Sequence, residues 1–210
     1  MKVMWYYPRD WVGIAKEIVK KPGKVLVLGA SDTGKTAICE FLANQGYKAG
    51  LNVGVIDLDI GQSHIGPPGT IGFGRLTQEI VSLSDIAPLR LYEVGEISPS
   101  KNPLLLLREL KELLRKVEHY DFDLIVVDST GYIKGLGAYK IKEGKINLIK
   151  PDYVIILEKE NEMEHLRTLL IEKGITVYEA SVPHTISKKT KAMRRKFRTE
   201  SSRRYNWNVQ

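Results

Sequence analysis

Lys24-Val25-Leu26-Val27-Leu28-Gly29-Ala30-Ser31-Asp32-Thr33-Gly34-Lys35-Thr36 is the stretch that decides the fold. Its first five residues form a short apolar, β-branched run that reads as a buried strand. The next eight fit G-x-x-x-x-G-K-[ST] in full, and Thr36 to Ala43 then reads as a helix with Ala37, Phe41 and Leu42 on its apolar side. Strand, glycine loop and helix in that order make a phosphate-binding loop. Backbone N–H groups of such a loop turn toward a polyphosphate, and the helix N-terminus adds partial positive charge. Gly29, Ala30, Ser31, Asp32, Thr33, Gly34, Lys35, Thr36 and Ala37 are therefore the expected nucleotide-binding residues. Lys35 is expected to reach the β and γ phosphates, and the Thr36 hydroxyl to ligate magnesium.

Working outward, apolar runs alternate with helical patterns. Val53–Asp57, Leu124–Asp128, Tyr153–Leu157 and Ile175–Tyr178 read as strands, with Leu89–Val94 a weaker candidate. Pro103–Val117 carries leucines at helical spacing behind a proline start, and Asn161–Lys173 reads as a helix stopped by Gly174. The alternation implies an α/β domain of three layers around a mainly parallel sheet. Ligands of such sheets collect beyond the carboxyl ends of the strands. The Gly- and Pro-rich loop from Ile60 to Thr70 reads as functional rather than as a boundary. The expectation is one domain over residues 1–210, with an aromatic N-terminal segment at 1–21 and a basic tail at 184–210.

The chain's net charge of +7 is concentrated. Residues 188–204 hold nine lysines and arginines against Glu200 alone, which leaves the rest of the chain close to neutral. Such a segment points to a polyanionic partner or to a solvated basic tail. No apolar run nears the ~20 residues needed to cross a bilayer. Met1 to Asp10 lacks the pattern of a signal peptide. The single cysteine, Cys39, excludes an internal disulfide or a multi-thiolate metal site. A cytoplasmic protein without membrane partners is expected.

Asp57 and Asp59 stand just past a strand end, on the same side if the backbone stays extended. Beside a triphosphate, such acids hold magnesium, directly or through water, or accept a proton from an attacking hydroxyl. Asp128, at the end of a second apolar strand, is another water-mediated magnesium candidate. Gln62 is placed to orient a nucleophile or the γ-phosphate. Ser129-Thr130-Gly131-Tyr132 offers small groups for close approach to phosphates and a tyrosine that either leans over a base or sits at the surface. Arg194, Arg195 and Arg198 adjoin on a helix at i,i+3 and i,i+4 spacing. They either close over a transferring phosphoryl group or hold nucleic acid by its phosphates. His64, His119, His165 and His184 show no shared ligand spacing and read as structural or surface residues, His64 alone lying near the site. Trp5, Tyr6, Tyr7 and Trp11 are expected to pack against the domain rather than to stack on a base.

Together these stretches resemble the P-loop polynucleotide 5′-hydroxyl kinases, the family of the RNA kinase subunit of the mRNA cleavage and polyadenylation machinery and its archaeal relatives. The likeness runs from about Lys24 to Tyr205. It rests on Gly29–Thr36, on the acid motif Asp57-Leu58-Asp59-Ile60-Gly61-Gln62 with Pro68-Gly69-Thr70 behind it, and on Ile97-Ser98-Pro99-Ser100. It also rests on the arginine-lid stretch Met193-Arg194-Arg195-Lys196-Phe197-Arg198, with Arg203 and Tyr205 in step. The resemblance implies a P-loop fold closed by a helical arginine lid. It implies ATP or GTP as donor, Mg2+ as cofactor and a 5′-OH end of RNA or DNA as acceptor. Asp59 would activate the hydroxyl, while Lys35 and the lid arginines stabilise the phosphoryl group. The family's T-x-G-W clasp stands here as Ser129-Thr130-Gly131-Tyr132, so stacking on the acceptor should be weaker. Many relatives carry flanking domains for which 210 residues leave no room, so a minimal form is expected. Two other readings remain open at this point: a GTPase or ATPase switch, and a non-catalytic nucleotide-binding subunit of RNA processing.

Overall fold

The computed structural model describes residues 7–159 and 161–206. The chain forms α1 (Arg9–Lys20), β1 (Lys24–Gly29), α2 (Lys35–Lys48), β2 (Val53–Leu58), β3 (Thr70–Arg75), β4 (Pro88–Glu93) and α3 (Pro103–Val117). It continues with β5 (Leu124–Ser129), α4 (Leu136–Ile149), β6 (Tyr153–Leu157), α5 (Glu164–Glu172), β7 (Thr176–Glu179) and α6 (Lys191–Arg204). The strands make one sheet in the order β4-β3-β2-β5-β1-β6-β7. The five strands from β2 to β7 in that order pair in parallel, and β3 and β4 add antiparallel to the β2 edge.

Both sheet faces are covered, so the inner strands are apolar on both sides. On β1, Val25 and Val27 point into one core with Ile38, Leu42 and Trp11, while Leu26 and Leu28 point into the other with Leu106, Leu110 and Ile146. Helices α1 and α2 cover the first face; α3, α4 and α5 cover the second. Within the aromatic N-terminal segment, Tyr7 packs on Phe41 with ring centroids 4.4 Å apart, and Trp11 Nε1 donates to the Ser181 carbonyl at 2.9 Å. These two residues pack as expected; Trp5 and Tyr6 lie outside the described residues. Among the described residues no helix is long and apolar enough to cross a membrane.

β1, β2 and β5 all end at the same edge of the sheet. Asp57 on β2 and Asp128 on β5 are register partners there, beside the loop that leaves β1. The fold thus gathers the glycine loop and the strand-end acids at one carboxyl edge.

Candidate nucleotide and phosphoryl-transfer site

The glycine loop is held by its own hydrogen bonds. Gly34 takes a left-handed φ of 96° at the start of α2, a conformation that favours glycine. The Thr33 hydroxyl donates to the Ala30 carbonyl at 3.0 Å, and Lys35 Nζ donates to the same carbonyl at 2.7 Å. Lys35 is buried and lies back over its own loop. The Thr36 hydroxyl donates to Asp128 Oδ2 at 2.7 Å, while Asp128 Oδ1 is buried with no partner among the described residues.

A cavity of about 360 Å³ opens above this loop. Ser31, Asp32, Gly34, Lys35, Thr36, Ala37 and Glu40 form its floor; Asp59, Gln62, His64, Gly131, Lys189 and Arg194 contribute from three other segments. Gly29, Ala30 and Thr33 shape the loop without lining the cavity.

The two acids of the strand end have separate roles. The chain stops being extended at Leu58 and turns, with the Gln62 N–H donating to the Asp59 carbonyl at 3.1 Å. Asp57 is fully buried; its oxygens accept from the backbone N–H groups of Asp59 (2.9 Å), His64 (2.6 Å) and Ile65 (3.0 Å) and from the Ser63 hydroxyl (3.3 Å). Asp57 therefore holds the loop through four protein contacts, whereas Asp128 keeps Oδ1 without a partner among the described residues. Burial pushes both carboxyls upward. Backbone hydrogen bonds pull Asp57 back; the neighbouring Asp57 adds to the shift of Asp128, and Lys35 opposes it. Asp59 reaches the cavity. Its Oδ1 accepts from Gly61 and Gln62 N–H at 3.1 and 3.2 Å, and among the described residues its Oδ2 accepts from none.

The segment after β5 meets the loop through backbone. A Cβ on Gly131 would lie 2.4 Å from Ser31 Oγ and 2.5 Å from its nitrogen, so only glycine seats here. Ser129 and Thr130 are buried below the cavity, and Tyr132 packs on the second core rather than lining the cavity.

The basic segment is split by its helix. Arg194 turns inward: its guanidinium meets Asp32 Oδ2 at 2.5 Å, and Gln62 Nε2 reaches its carbonyl at 3.4 Å. Phe197 sits on the His64 ring at 4.9 Å, and the Gly66 N–H donates to the Tyr205 hydroxyl at 3.1 Å. Arg195 is exposed, and neither it nor Arg198 lines the cavity. Of the three arginines expected to act from this helix, Arg194 lines the cavity.

Glu40 lines the cavity with no sequence signal to mark it; Lys189 and His64 line it too, the first expected only as part of the basic segment and the second only as lying near the site. Sequence reasoning passed over Lys142 and Lys145, both buried on α4. Among the described residues no cluster of three His, Cys, Asp or Glu side chains gathers to hold a metal. Magnesium in phosphoryl-transfer sites takes one or two protein oxygens and leaves the rest of its shell to phosphates and water. Thr36 with the unpartnered Asp128 oxygen fits such a site.

The chain is similar to several known proteins. A polyribonucleotide 5′-hydroxyl-kinase of Pyrococcus horikoshii is 35% identical over 205 residues, covering 94% of this chain and 54% of that protein. One of Methanocaldococcus jannaschii is 35% identical over 186 residues, covering 89% and 51%. The chain thus spans about half the length of the curated relatives it matches. Among solved structures, a wild-type Clp1p–Pcf11p complex superposes with a TM-score of 0.74 at 17% identity, covering 92% of this chain and 52% of that one. A second Clp1p–Pcf11p structure reaches 0.78 at 16% identity, covering 95% and 54%. These structures share the fold, an α/β P-loop architecture. The family model described as mRNA cleavage and polyadenylation factor CLP1 P-loop matches residues 29–206, and the chain belongs to that family.

Proposed function

We propose that this chain transfers the γ-phosphate of ATP or GTP to the 5′-hydroxyl end of RNA, with DNA as a second acceptor to be tested. One observation carries the reading: Asp59, with an oxygen unclaimed among the described residues, shares a 360 Å³ cavity with Lys35, Thr36 and Arg194. A phosphate site alone supports hydrolysis as well as transfer; a carboxylate base opposite a basic lid supports a polyanionic alcohol as acceptor.

The loop amides and Lys35 would hold the triphosphate, Lys35 exchanging the Ala30 carbonyl for phosphate oxygen. Thr36 and Asp128, the latter through water, would hold magnesium, which supplies charge neutralisation on the phosphates. The hydroxyl oxygen attacks the γ-phosphorus in line, the bond to the β-phosphate oxygen breaks, and the hydroxyl proton passes to Asp59. Arg194, exchanging Asp32 for phosphoryl oxygen, stabilises the charge that develops. Gln62 and Gly131 border the space left for the acceptor, with Ser129, Thr130 and Tyr132 supporting it from behind. The reaction is assigned to the cytoplasm.

The test uses γ-labelled ATP and GTP with magnesium and 5′-hydroxyl RNA and DNA oligonucleotides. Label on the oligonucleotide is the expected result. Hydrolysis indifferent to oligonucleotides would instead mark a nucleotide switch, and tight retention without turnover a non-catalytic subunit. The names of the archaeal relatives support the kinase reading.

A further inference from the structure

Helix α4 buries two lysines against the underside of the site. Lys142 is 1% exposed and Lys145 0% exposed. Fully buried lysines are rare unless something requires them. Lys142 Nζ donates to the Thr130 carbonyl at 2.7 Å and to the Ser129 hydroxyl at 3.2 Å. Ser129 in turn donates to the Val27 carbonyl at 2.6 Å, on the strand that feeds the phosphate loop. The next residue, Gly131, rests directly on Ser31 of that loop, with no room for a Cβ. A chain of contacts thus runs from α4 through the end of β5 to both β1 and the loop.

We propose that Lys142 is a positioning residue for phosphoryl transfer, fixing the Ser129–Thr130 backbone so that Gly131 stays seated on Ser31. The inference rests on the kinase reading. The segment 129–132 borders the acceptor, and the loop holds the donor, so this seat sets the distance between the two substrates. Thr130 has a carbonyl that would otherwise be buried without a donor, so losing the amine frees the peptide to rotate. Burial, together with Lys145 and Lys35, lowers the affinity of Lys142 for its proton. A neutral amine still donates two hydrogen bonds, so the brace does not depend on charge.

The test compares wild type with Lys142→Met and Gly131→Ala in oligonucleotide labelling, donor binding by titration with a fluorescent nucleotide, and amide exchange of residues 129–135. The proposal expects kcat to fall on the order of 10- to 100-fold in both variants, the scale of a misplacement near 1 Å. Donor Kd of Lys142→Met should stay within about threefold, and amide exchange across 129–135 should quicken in both variants. The shared pattern matters, since Gly131→Ala unseats the segment while Lys142 remains. Wild-type kcat in Lys142→Met overturns the proposal, as does a donor Kd that weakens in step with kcat. Should Lys142→Met melt below the assay temperature, retained kcat in Gly131→Ala overturns it. A wild-type protein that labels no oligonucleotide removes the kinase reading, and this inference with it.

Discussion

Arg194 meets Asp32 at 2.5 Å, joining the lid helix to the rim of the phosphate loop across 162 positions of sequence. The Lys189 N–H donates to the same carboxylate oxygen at 3.3 Å. On the proposed reaction Asp32 stands in for phosphate, and Arg194 is held at the cavity before nucleotide binds. Arg194→Ala should lower kcat by about 10²- to 10³-fold, the scale of losing one transition-state donor. Arg194→Lys should remain well below wild type, because a point charge does not reproduce the guanidinium fork. Steady-state labelling checks this; a kcat within tenfold of wild type would remove Arg194 from the reaction.

Asp59 is the strand-end acid that lines the cavity, and its Oδ2 accepts no hydrogen bond among the described residues. Asp59→Asn keeps an oxygen for the Gly61 and Gln62 N–H groups, so the turn should survive. Transfer should fall by about 10²- to 10⁴-fold, the range for losing a general base. Nucleotide affinity should stay within about threefold. Undiminished transfer by this variant would assign the proton to another group.

Arg195 points away from the site that holds Arg194, one residue along the helix. Its expected contribution is to attract the acceptor rather than to stabilise transfer. Arg195→Ala should raise the acceptor KM and flatten its dependence on salt, with kcat within about threefold. A loss confined to kcat would return Arg195 to the catalytic group.

The P-loop and the inner strands were legible because two strong periodicities, apolar runs and the glycine pattern, coincide there. The residues hidden from sequence share one physical feature, which is local chemistry overridden by tertiary contact. β3 reads Thr70-Ile71-Gly72-Phe73-Gly74-Arg75, with two glycines weakening any strand signal, yet it is zipped between β2 and β4. α4 escaped because Lys142 and Lys145 occupy buried positions and break the apolar stripe. α1 shows Trp11, Ile14, Ala15 and Ile18 at helical spacing, but the segment was expected only as a group of aromatic residues packed against the domain. Alternation alone puts Asp57 and Asp59 on one side, which extends the strand one residue past the end of β2; only the resemblance set Asp59 apart as the acid for the hydroxyl.

Glu40 gives the site a pH signature of its own. It lines the cavity, accepts from the Leu83 N–H at 2.9 Å, and has its carboxyl pushed up from 4.5 to about 7. Burial is the main cause; the Leu83 hydrogen bond pulls the other way, and Asp128 and Asp85 add repulsion. A carboxyl raised in the folded state binds its proton more tightly there than in the unfolded chain. The stability this contributes is complete below about pH 4.5 and is lost as pH rises through about 7. Glu40→Gln stays neutral at every pH and keeps an oxygen for Leu83. The variant should therefore melt above wild type at pH 8, by up to about 3 kcal/mol or roughly 5–10 °C for a domain of this size. The gap should close on approaching pH 4.5. Melting curves of both proteins between pH 4.5 and 8.5, without nucleotide, measure it directly. A gap that stays constant across this range, or that widens toward acid, would show that Glu40 is already ionised in the folded protein at low pH.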